Sequence, residues 1–191
     1  MDTIKEKFAK LKEKMHNDDF QMNAGLSNEV GYYVFSYDAK QELVVRKYIS
    51  EFEKDMTLAT SGFKIQEFNI FDILLDVIDQ FGYRDAFIEM EKDEGIDEVS
   101  LQVNNILEMS ENNNVIVQYV NNRLTDDKTI IFLTGIGQVF PLLRAHTVLN
   151  TMSQVIDRFP VIMFYPGEYD GLGLKAFGEV TDNNYYRAFP I

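Results

Sequence analysis

The chain contains no cysteine and only two histidines among its 191 residues. Without cysteine it cannot form disulfide bonds, a thiolate nucleophile or a cysteine-based metal site. The same absence fits a reducing cytoplasm. The two histidines, His16 and His146, are too few for a histidine-rich metal centre.

Long apolar runs and nucleotide-binding motifs are missing as well. No stretch approaches the roughly 20 apolar residues that cross a bilayer, and the charged N-terminus lacks the apolar region of a secretory signal. We therefore expect a soluble, cytoplasmic protein that does not enter a membrane. The Gly-x-x-x-x-Gly-Lys-Ser/Thr motif of a P-loop is absent, and so is the third glycine of a dinucleotide-binding fingerprint.

Positive charge is in short supply, with 18 basic residues against 31 acidic ones and a net charge of −13. Such a field repels phosphate backbones, so we expect no direct nucleic-acid binding. Five lysines between residues 5 and 14 alternate with Glu6 and Glu13, which favours a solvated helix face over a basic patch. The hydrophobic fraction of 46% predicts a globular protein, and the length fits a single domain over residues 1–191.

The segment Lys128–Asn150 is the centre of the predicted fold. Thr129–Leu133 is an apolar, β-branched run typical of a strand buried on both faces. Gly135 and Gly137 then turn the chain. Apolar residues from Phe140 onward recur with helical spacing, and Pro141 suits the first turn of that helix. Strand, glycine turn and helix form half of a βαβ unit.

The remaining elements follow from periodicity and capping residues. An amphipathic helix over residues 1–16 carries Ile4, Phe8, Leu11 and Met15 on one face. In the first half of the chain we predict a polar loop at 17–30, a strand at 32–37, a helix from 38 to about 59 ended by Ser61-Gly62, and a less buried strand at 63–70. Helices follow at 71–81 and 99–107, around an acidic helix end and turn at 89–98. A strand at 161–165 is stopped by Pro166-Gly167, and short strands or extended segments at 172–180 and 185–189 close the sheet. For residues 110–124 both a strand and a capped helix are open, and we favour the helix.

Strands near residues 32, 64, 129 and 161, separated by helices, predict the fold class. It is a three-layer α/β fold with a mostly parallel sheet and helices on both faces. This is P-loop-like or Rossmann-like architecture without a Walker A motif.

In such a sheet, ligands bind beyond the carboxyl ends of the strands. Three predicted strand ends carry polar or glycine residues there, so we expect one shared rim for interaction or ligand binding. Its members, together with neighbouring helix residues and the C-terminal aromatic segment, are Asp38, Thr134, Gly135, Gly137, Arg144, His146, Glu168, Tyr169, Asp170, Tyr186 and Arg187.

Several of these positions also have a purely structural interpretation. The Gly135–Gly137 turn could cradle an anion with backbone N–H groups, but we favour a tight packing turn. His146 is better explained as a hydrogen-bonded structural histidine. Arg144 could bind a carboxylate of Glu168 or Asp170 as an internal clamp, or an acidic group of a partner.

A carboxylate site is the remaining chemical possibility at the rim. Glu168 and Asp170 could act as a catalytic pair or, with Asp38, hold a magnesium ion. We favour the alternative, in which Asp170-Gly171 is a turn and Glu168 balances Arg144 or Arg187. We therefore expect no catalytic residue, no metal and no cofactor.

Several segments together resemble one protein family. Phe132–His146 (Phe-Leu-Thr-Gly-Ile-Gly-Gln-Val-Phe-Pro-Leu-Leu-Arg-Ala-His), Phe164–Gly171 (Phe-Tyr-Pro-Gly-Glu-Tyr-Asp-Gly) and Asn184–Phe189 (Asn-Tyr-Tyr-Arg-Ala-Phe) resemble, in this order, BrxB-type proteins of bacterial BREX phage-exclusion systems. Tyr37-Asp38 with Glu42-Leu43 and Val45-Arg46 is similar to the family's first strand–helix junction. Residues 85–125 show no such likeness.

The resemblance implies a small cytoplasmic component of a phage-defence gene cluster. Such a cluster also encodes a DNA adenine methyltransferase, a large ATPase and the alkaline-phosphatase-like protein PglZ. The family suggests a role in assembly, particularly with PglZ, and supplies no catalytic residues. We thus expect a non-enzymatic assembly or regulatory subunit. The alternative is a degenerate nucleotide-binding protein or a metal-dependent phosphoesterase that uses the strand-end carboxylates.

Overall fold

The computed structural model describes residues 2–21, 31–125, 128–171, 173–176, 180–182 and 188–191. The helices are α1 Ile4–Met15, α2 Asp18–Gln21, α3 Glu42–Asp55, α4 Leu58–Ser61, α5 Ile70–Phe81, α6 Arg84–Asp93, α7 Ile96–Ile106, α8 Val115–Asn121, α9 Ile136–Val139 and α10 Ala145–Val155. The strands are β1 Tyr32–Tyr37, β2 Lys64–Asn69, β3 Thr129–Thr134, β4 Val161–Tyr169, β5 Leu174–Ala176, β6 Val180–Asp182 and β7 Phe189–Pro190.

The main sheet has the strand order β2-β3-β4-β1-β7. Strand β1 runs parallel to β4 and to β7, and β3 runs parallel to β4. Every residue of β3 is buried, and so are the first six residues of β4. Burial on both faces is what a three-layer α/β fold imposes on its central strands. The predicted α/β class with a mostly parallel sheet is confirmed.

The chain divides into two compact units. The first comprises residues 1–68, 125–134 and 157–191, and the second comprises residues 69–124 and 135–156. The single-domain assignment stays a prediction. Within the described ranges, no helix combines the length and the apolar character needed to cross a membrane.

The core of the first unit is aromatic and centres on Phe8. This ring lies 4.7 Å from Phe35 of β1, 4.7 Å from Tyr48 of α3 and 6.0 Å from Phe164 of β4, measured between centroids. Helix α1 presents the predicted stripe of Ile4, Phe8, Leu11 and Met15, all of them buried. The helix begins at a capping box, in which the Glu6 amide donates to Thr3 Oγ1 and the Thr3 amide donates to Glu6 Oε2. The predicted N-terminal helix is confirmed.

The second unit is helical. Helix α5 begins after Asn69, whose Oδ1 accepts hydrogen bonds from the Phe71 and Asp72 amides. It ends at Gly82, which adopts a left-handed φ of 73° that glycine tolerates best. The open choice at residues 110–124 is resolved as a helix. Asn114 caps α8 by accepting a hydrogen bond from the Val117 amide at 3.0 Å.

Two predicted helices have different bounds. The helix expected to last to about Ala59 ends at Asp55, because Thr57 and Thr60 form a new capping box and start α4. The helix expected from Phe140 is also wrong. Pro141 follows a cis bond between α9 and α10, and α10 begins only at Ala145. Phe140 is extended, the conformation that a following proline favours.

The prediction that the strand stops at Pro166-Gly167 is wrong. Strand β4 continues to Tyr169 and pairs antiparallel with β5, which in turn pairs with β6. A β-carbon on Gly167 would overlap the carbonyl oxygen of Lys175, so glycine is what allows the two backbones to approach. Of the predicted loop at 17–30, residues 18–21 form α2, and residues 22–30 lie outside the described ranges.

Candidate functional site

The end of β1 carries a chain of three polar side chains. Tyr37, the last residue of the strand, donates its hydroxyl hydrogen to Glu42 Oε2 at 2.5 Å. Glu42 Oε1 in turn accepts a hydrogen bond from Arg46 Nε at 2.7 Å. Burial raises the pKa of Tyr37, and the hydrogen bond to the Glu42 carboxylate raises that pKa further. The phenol therefore stays protonated and serves as a donor that fixes Glu42.

Asp38 follows Tyr37 and is exposed. Its Oδ1 accepts a hydrogen bond from the Lys40 amide at 2.9 Å, and it caps the short 3-10 helix Ala39–Gln41. One carboxylate oxygen of Asp38 is thus hydrogen-bonded to the backbone, while the side chain as a whole remains exposed.

The end of β3 has a carboxylate partner from β2. Thr134 Oγ1 donates to Glu67 Oε1 at 2.5 Å. A second carboxylate, Glu53 of α3, lies close enough to Glu67 for the charge of Glu67 to affect its pKa. Burial raises the pKa of Glu53, and the negative charge of Glu67 adds to the rise. Thr134 is thus buried, and its hydroxyl group is hydrogen-bonded to Glu67 of the neighbouring strand.

The end of β4 contains exposed and buried members. Glu168 is exposed and stands opposite Lys175 of β5 in the strand register. Tyr169 is buried and donates its hydroxyl hydrogen to the Ala188 carbonyl at 2.7 Å, which ties β4 to the chain just before β7. Asp170 Oδ1 accepts a hydrogen bond from the Gly173 amide at 2.9 Å, in a turn where Gly171 has a φ of 91°.

Gly135 and Gly137 lie in the second unit, at the start of α9. Gly135 has a left-handed φ of 72°, and a β-carbon there would overlap Asn69 Oδ1, the atom that caps α5. Close packing therefore accounts for Gly135. Helix α9 is only four residues long, so it presents little of a helix dipole for an anion.

Arg144 and His146 also belong to the second unit, at the N-terminus of α10. The Arg144 guanidinium is exposed and lies 5.0 Å from the centroid of the Phe140 ring. His146 is half-buried in the first turn of α10. The connection before this helix is anchored by the Leu142 carbonyl, which accepts hydrogen bonds from Ser100 Oγ and Asn104 Nδ2. The structural role of His146 and the ion pair of Arg144 with Glu168 or Asp170 stay predictions.

The predicted rim is thus distributed over both units. Asp38, Thr134, Glu168, Tyr169 and Asp170 belong to the first, and the two glycines, Arg144 and His146 to the second. The predicted contact residues Tyr186 and Arg187 lie outside the described residues. In the described part of the chain, no three His, Asp or Glu residues are grouped closely enough to hold a metal ion. Asp38, Glu168 and Asp170 are therefore not grouped in this way.

Sequence reasoning missed the partners of the strand-end groups. Glu42 and Arg46 have a local signal, since residues four apart share one face of a helix. Their link to Tyr37 follows from the strand–helix junction and could have been anticipated. Glu67 has no such signal, because 67 residues separate it from Thr134 in the chain.

Comparisons with known proteins place these segments in context. A family model described as "BREX protein BrxB" matches residues 66–191. A BREX protein BrxB of Bacillus cereus (strain H3081.97) is 39% identical over 191 residues, covering 100% of this chain and 98% of the relative. A BREX protein BrxB of Escherichia coli O9:H4 (strain HS) is 29% identical over 189 residues, covering 97% of this chain and 90% of the relative. No solved structure matches the chain.

Proposed function

The chain belongs to the BrxB family of BREX phage-defence proteins, and on this premise we propose that it is a non-enzymatic assembly or regulatory subunit of a BREX complex that binds the alkaline-phosphatase-like component PglZ. The observation that carries the proposal is full-length similarity to a BREX protein at 39% identity. We also propose a cytoplasmic location, with which the lack of cysteine agrees.

The hydrogen bonds at the strand ends support a binding role over a chemical one. Tyr37, Glu42 and Arg46 bond to one another, and Thr134 bonds to Glu67. Through these hydrogen bonds the side chains stabilise the fold and shape the protein surface at the strand ends. A general base or nucleophile would instead need a side chain directed at a substrate.

The proposed contact surface lies on the first unit, where exposed charge is available. Asp38, Glu168 and Asp170 are exposed carboxylates at the ends of β1 and β4. Tyr169 donates a hydrogen bond to the carbonyl of Ala188, the residue that precedes β7. We propose that Tyr186 and Arg187, which precede Ala188 in the sequence, supply the anchoring contacts, because Tyr and Arg are enriched among residues that dominate binding energy.

Co-purification from cells that carry the whole BREX gene cluster tests this function. We expect the tagged wild-type protein to retain PglZ in a stoichiometric complex, and Arg187→Glu to lose it together with phage resistance in a plaque assay. Lys47→Glu is the matched charge reversal on α3, where the side chain is 76% exposed, and it should leave both properties unchanged. Retention of PglZ by Arg187→Glu would remove the C-terminal segment from the interface, and absence of PglZ from the wild-type complex would overturn the partner.

A second pair of substitutions separates binding from chemistry. Glu168→Gln and Asp170→Asn remove two charges but keep the shapes, and an Asn at 170 can still accept the hydrogen bond from the Gly173 amide. If the double variant binds PglZ normally and yet fails to resist phage, a chemical site at the end of β4 replaces the assembly role. A thermal shift with ATP, GTP or Mg²⁺ that this variant abolishes would point the same way.

A further inference from the structure

Helix α6 is a surface helix with no fully buried residue. None of its ten residues is buried, although the sequence Ala-Phe-Ile-Glu-Met at 86–90 is largely apolar. A helix on the surface of a globular protein ordinarily buries one apolar stripe against its core. In α6, Phe87 and Met90 are half-buried, and Ile88 remains 46% exposed. A contiguous exposed apolar area is a feature of surfaces that bind another macromolecule.

Three aromatic rings extend this apolar area across the junction of α5 and α6. The centroids of Phe81 and Tyr83 are 6.2 Å apart, and those of Tyr83 and Phe87 are 5.9 Å apart. Phe81 is 50% exposed and Tyr83 is 44% exposed. The rings touch one another at the surface, and they offer π faces to an incoming group.

The surroundings of these rings are strongly acidic. Residues 79–98 contain eight acidic and two basic side chains, a net charge of −6. One of the two cations is already occupied, because Arg84 donates two hydrogen bonds to the Asp79 carboxylate, at 2.5 and 2.6 Å. The carboxylates of Glu89, Glu91 and Asp93 are exposed and form no ion pair within the part of the chain that the structure describes.

We propose that this acidic aromatic surface, formed by Phe81, Tyr83, Phe87, Ile88 and the carboxylates of Glu89 and Glu91, binds a basic amphipathic helix of a partner protein. Lysine and arginine side chains stack on aromatic faces and pair with carboxylates, so both features of the surface select the same cationic group. The apolar face of the partner helix covers Ile88 and the rings. Helix α6 is about 15 Å long, which matches nearly three turns of such a helix.

The charge of the surface argues against other occupants. Nucleic acid and anionic lipid surfaces are repelled by a segment of net charge −6. A second copy of the chain would oppose the same acidic residues across a two-fold axis, where like charges destabilise contact. The inference is independent of the PglZ proposal, since the acidic aromatic surface is separate in sequence from the β1, β4 and C-terminal residues assigned to that partner.

A designed peptide tests the surface directly. The probe is a labelled helix of about 18 residues, or five turns, in which Leu at helical spacing forms one face and Lys forms the opposite face. Its control has Glu in place of every Lys. Because the chain lacks tryptophan, Phe81→Trp places a single tryptophan in the surface, whose emission can be excited apart from that of the tyrosines. We expect the basic peptide, and not the acidic one, to shift the tryptophan emission and to bind more weakly as salt is raised.

Variants of the surface and of a matched site decide the outcome. We expect Tyr83→Ser, and separately Glu89→Lys with Glu91→Lys, to weaken binding of the basic peptide by about tenfold or more, or 1.4 kcal/mol. The matched controls on α3 are Leu43→Ser, at a residue 79% exposed, and Glu51→Lys with Asp55→Lys. These should bind as the wild type does. Circular dichroism confirms that each variant is folded.

Several results would overturn the inference. Equal affinity of the basic peptide for the wild type and the Glu89→Lys/Glu91→Lys variant would show that the peptide binds elsewhere. Sedimentation of the wild type as a dimer that Tyr83→Ser dissociates would assign the surface to a second copy. If the wild type binds anionic vesicles or duplex DNA and Tyr83→Ser abolishes that binding, the acidic aromatic surface would instead bind lipid or DNA. Loss of PglZ in the Arg187→Glu experiment leaves these measurements unaffected.

Discussion

Gly135 packs directly against the side chain of Asn69, and a β-carbon at position 135 would overlap Asn69 Oδ1. The same oxygen accepts the Phe71 and Asp72 amides at the N-terminus of α5. The turn at Gly135 and the cap of α5 are therefore in direct contact. Close packing accounts for Gly135, although its sequence context resembles an anion-binding loop.

Gly135→Ala should destabilise the protein far more than Gly82→Ala. Both glycines have nearly the same left-handed φ, 72° and 73°, so the backbone strain of alanine, about 1 kcal/mol, is common to both. Only position 135 adds an overlap, because nothing lies within 4 Å of a β-carbon at position 82. We expect a loss of about 3 kcal/mol for Gly135→Ala and about 1 kcal/mol for Gly82→Ala in urea unfolding. Equal losses would mean that Asn69 moves away without cost.

Tyr37→Phe should lower stability through the lost hydrogen bond to Glu42. The bond joins a hydroxyl group to a partly exposed carboxylate, so we expect a cost of about 1–2 kcal/mol. Tyr33→Phe on the same strand is the control, because the Tyr33 hydroxyl makes no hydrogen bond within the residues that the structure describes. Urea unfolding of both variants measures the difference, and a cost for Tyr33→Phe as large as that for Tyr37→Phe would contradict the role of Glu42.

The stability of the protein should fall in alkaline solution, and Tyr37→Phe should weaken that dependence. Burial raises the pKa of Tyr37 and of Tyr32 above the ordinary tyrosine value. Below about pH 10 both the folded and the unfolded chain keep these protons, and the stabilisation is complete. As the pH rises further the unfolded chain loses them first, so stability decreases by up to about 1.4 kcal/mol per pH unit for each tyrosine. Urea unfolding at about pH 8 and pH 11 should show a smaller decrease for Tyr37→Phe than for the wild type.

Asn114→Ala should destabilise α8 by more than a surface cap would. The side chain is fully buried, its Oδ1 accepts from the Val117 amide, and its Nδ2 donates to the Glu111 carbonyl. Losing the cap leaves the amide of the buried Val117 unsatisfied, and the bond to Glu111 is lost as well, at a total cost of about 2 kcal/mol. Asn122→Ala, at an exposed position just after the same helix, should change stability by less than about 0.5 kcal/mol. Thermal unfolding compares the two, and similar melting temperatures would show that Asn114 does not fix the helix start.

Local sequence patterns predict the elements that carry their own signals. Apolar spacing and the Thr3–Glu6 capping box are enough to define α1. Asn114 before an apolar run indicates α8, and a fully apolar run indicates β3. Such signals work because hydrogen-bond geometry and side-chain period act between residues a few positions apart.

The strand-end groups could be named from the sequence, but their partners could not. Parallel strands implied that Asp38 and Glu168 follow strand ends. Asp38 does follow β1, whereas Glu168 lies within β4, which continues to Tyr169. The bond of Thr134 to Glu67, and the continuation of β4 past Pro166 to pair with β5, depend on residues brought together from distant parts of the chain.

The sequence by itself determined the α/β class, the family and most helix and strand positions, because periodicity, caps and glycine positions act locally. Only the tertiary structure decided that Gly135 packs against Asn69, that Tyr37 is hydrogen-bonded to Glu42, and that no apolar side chain of α6 is fully buried. The physical reason is that exposure and close packing belong to the folded arrangement, in which each side chain meets neighbours that its own segment does not specify.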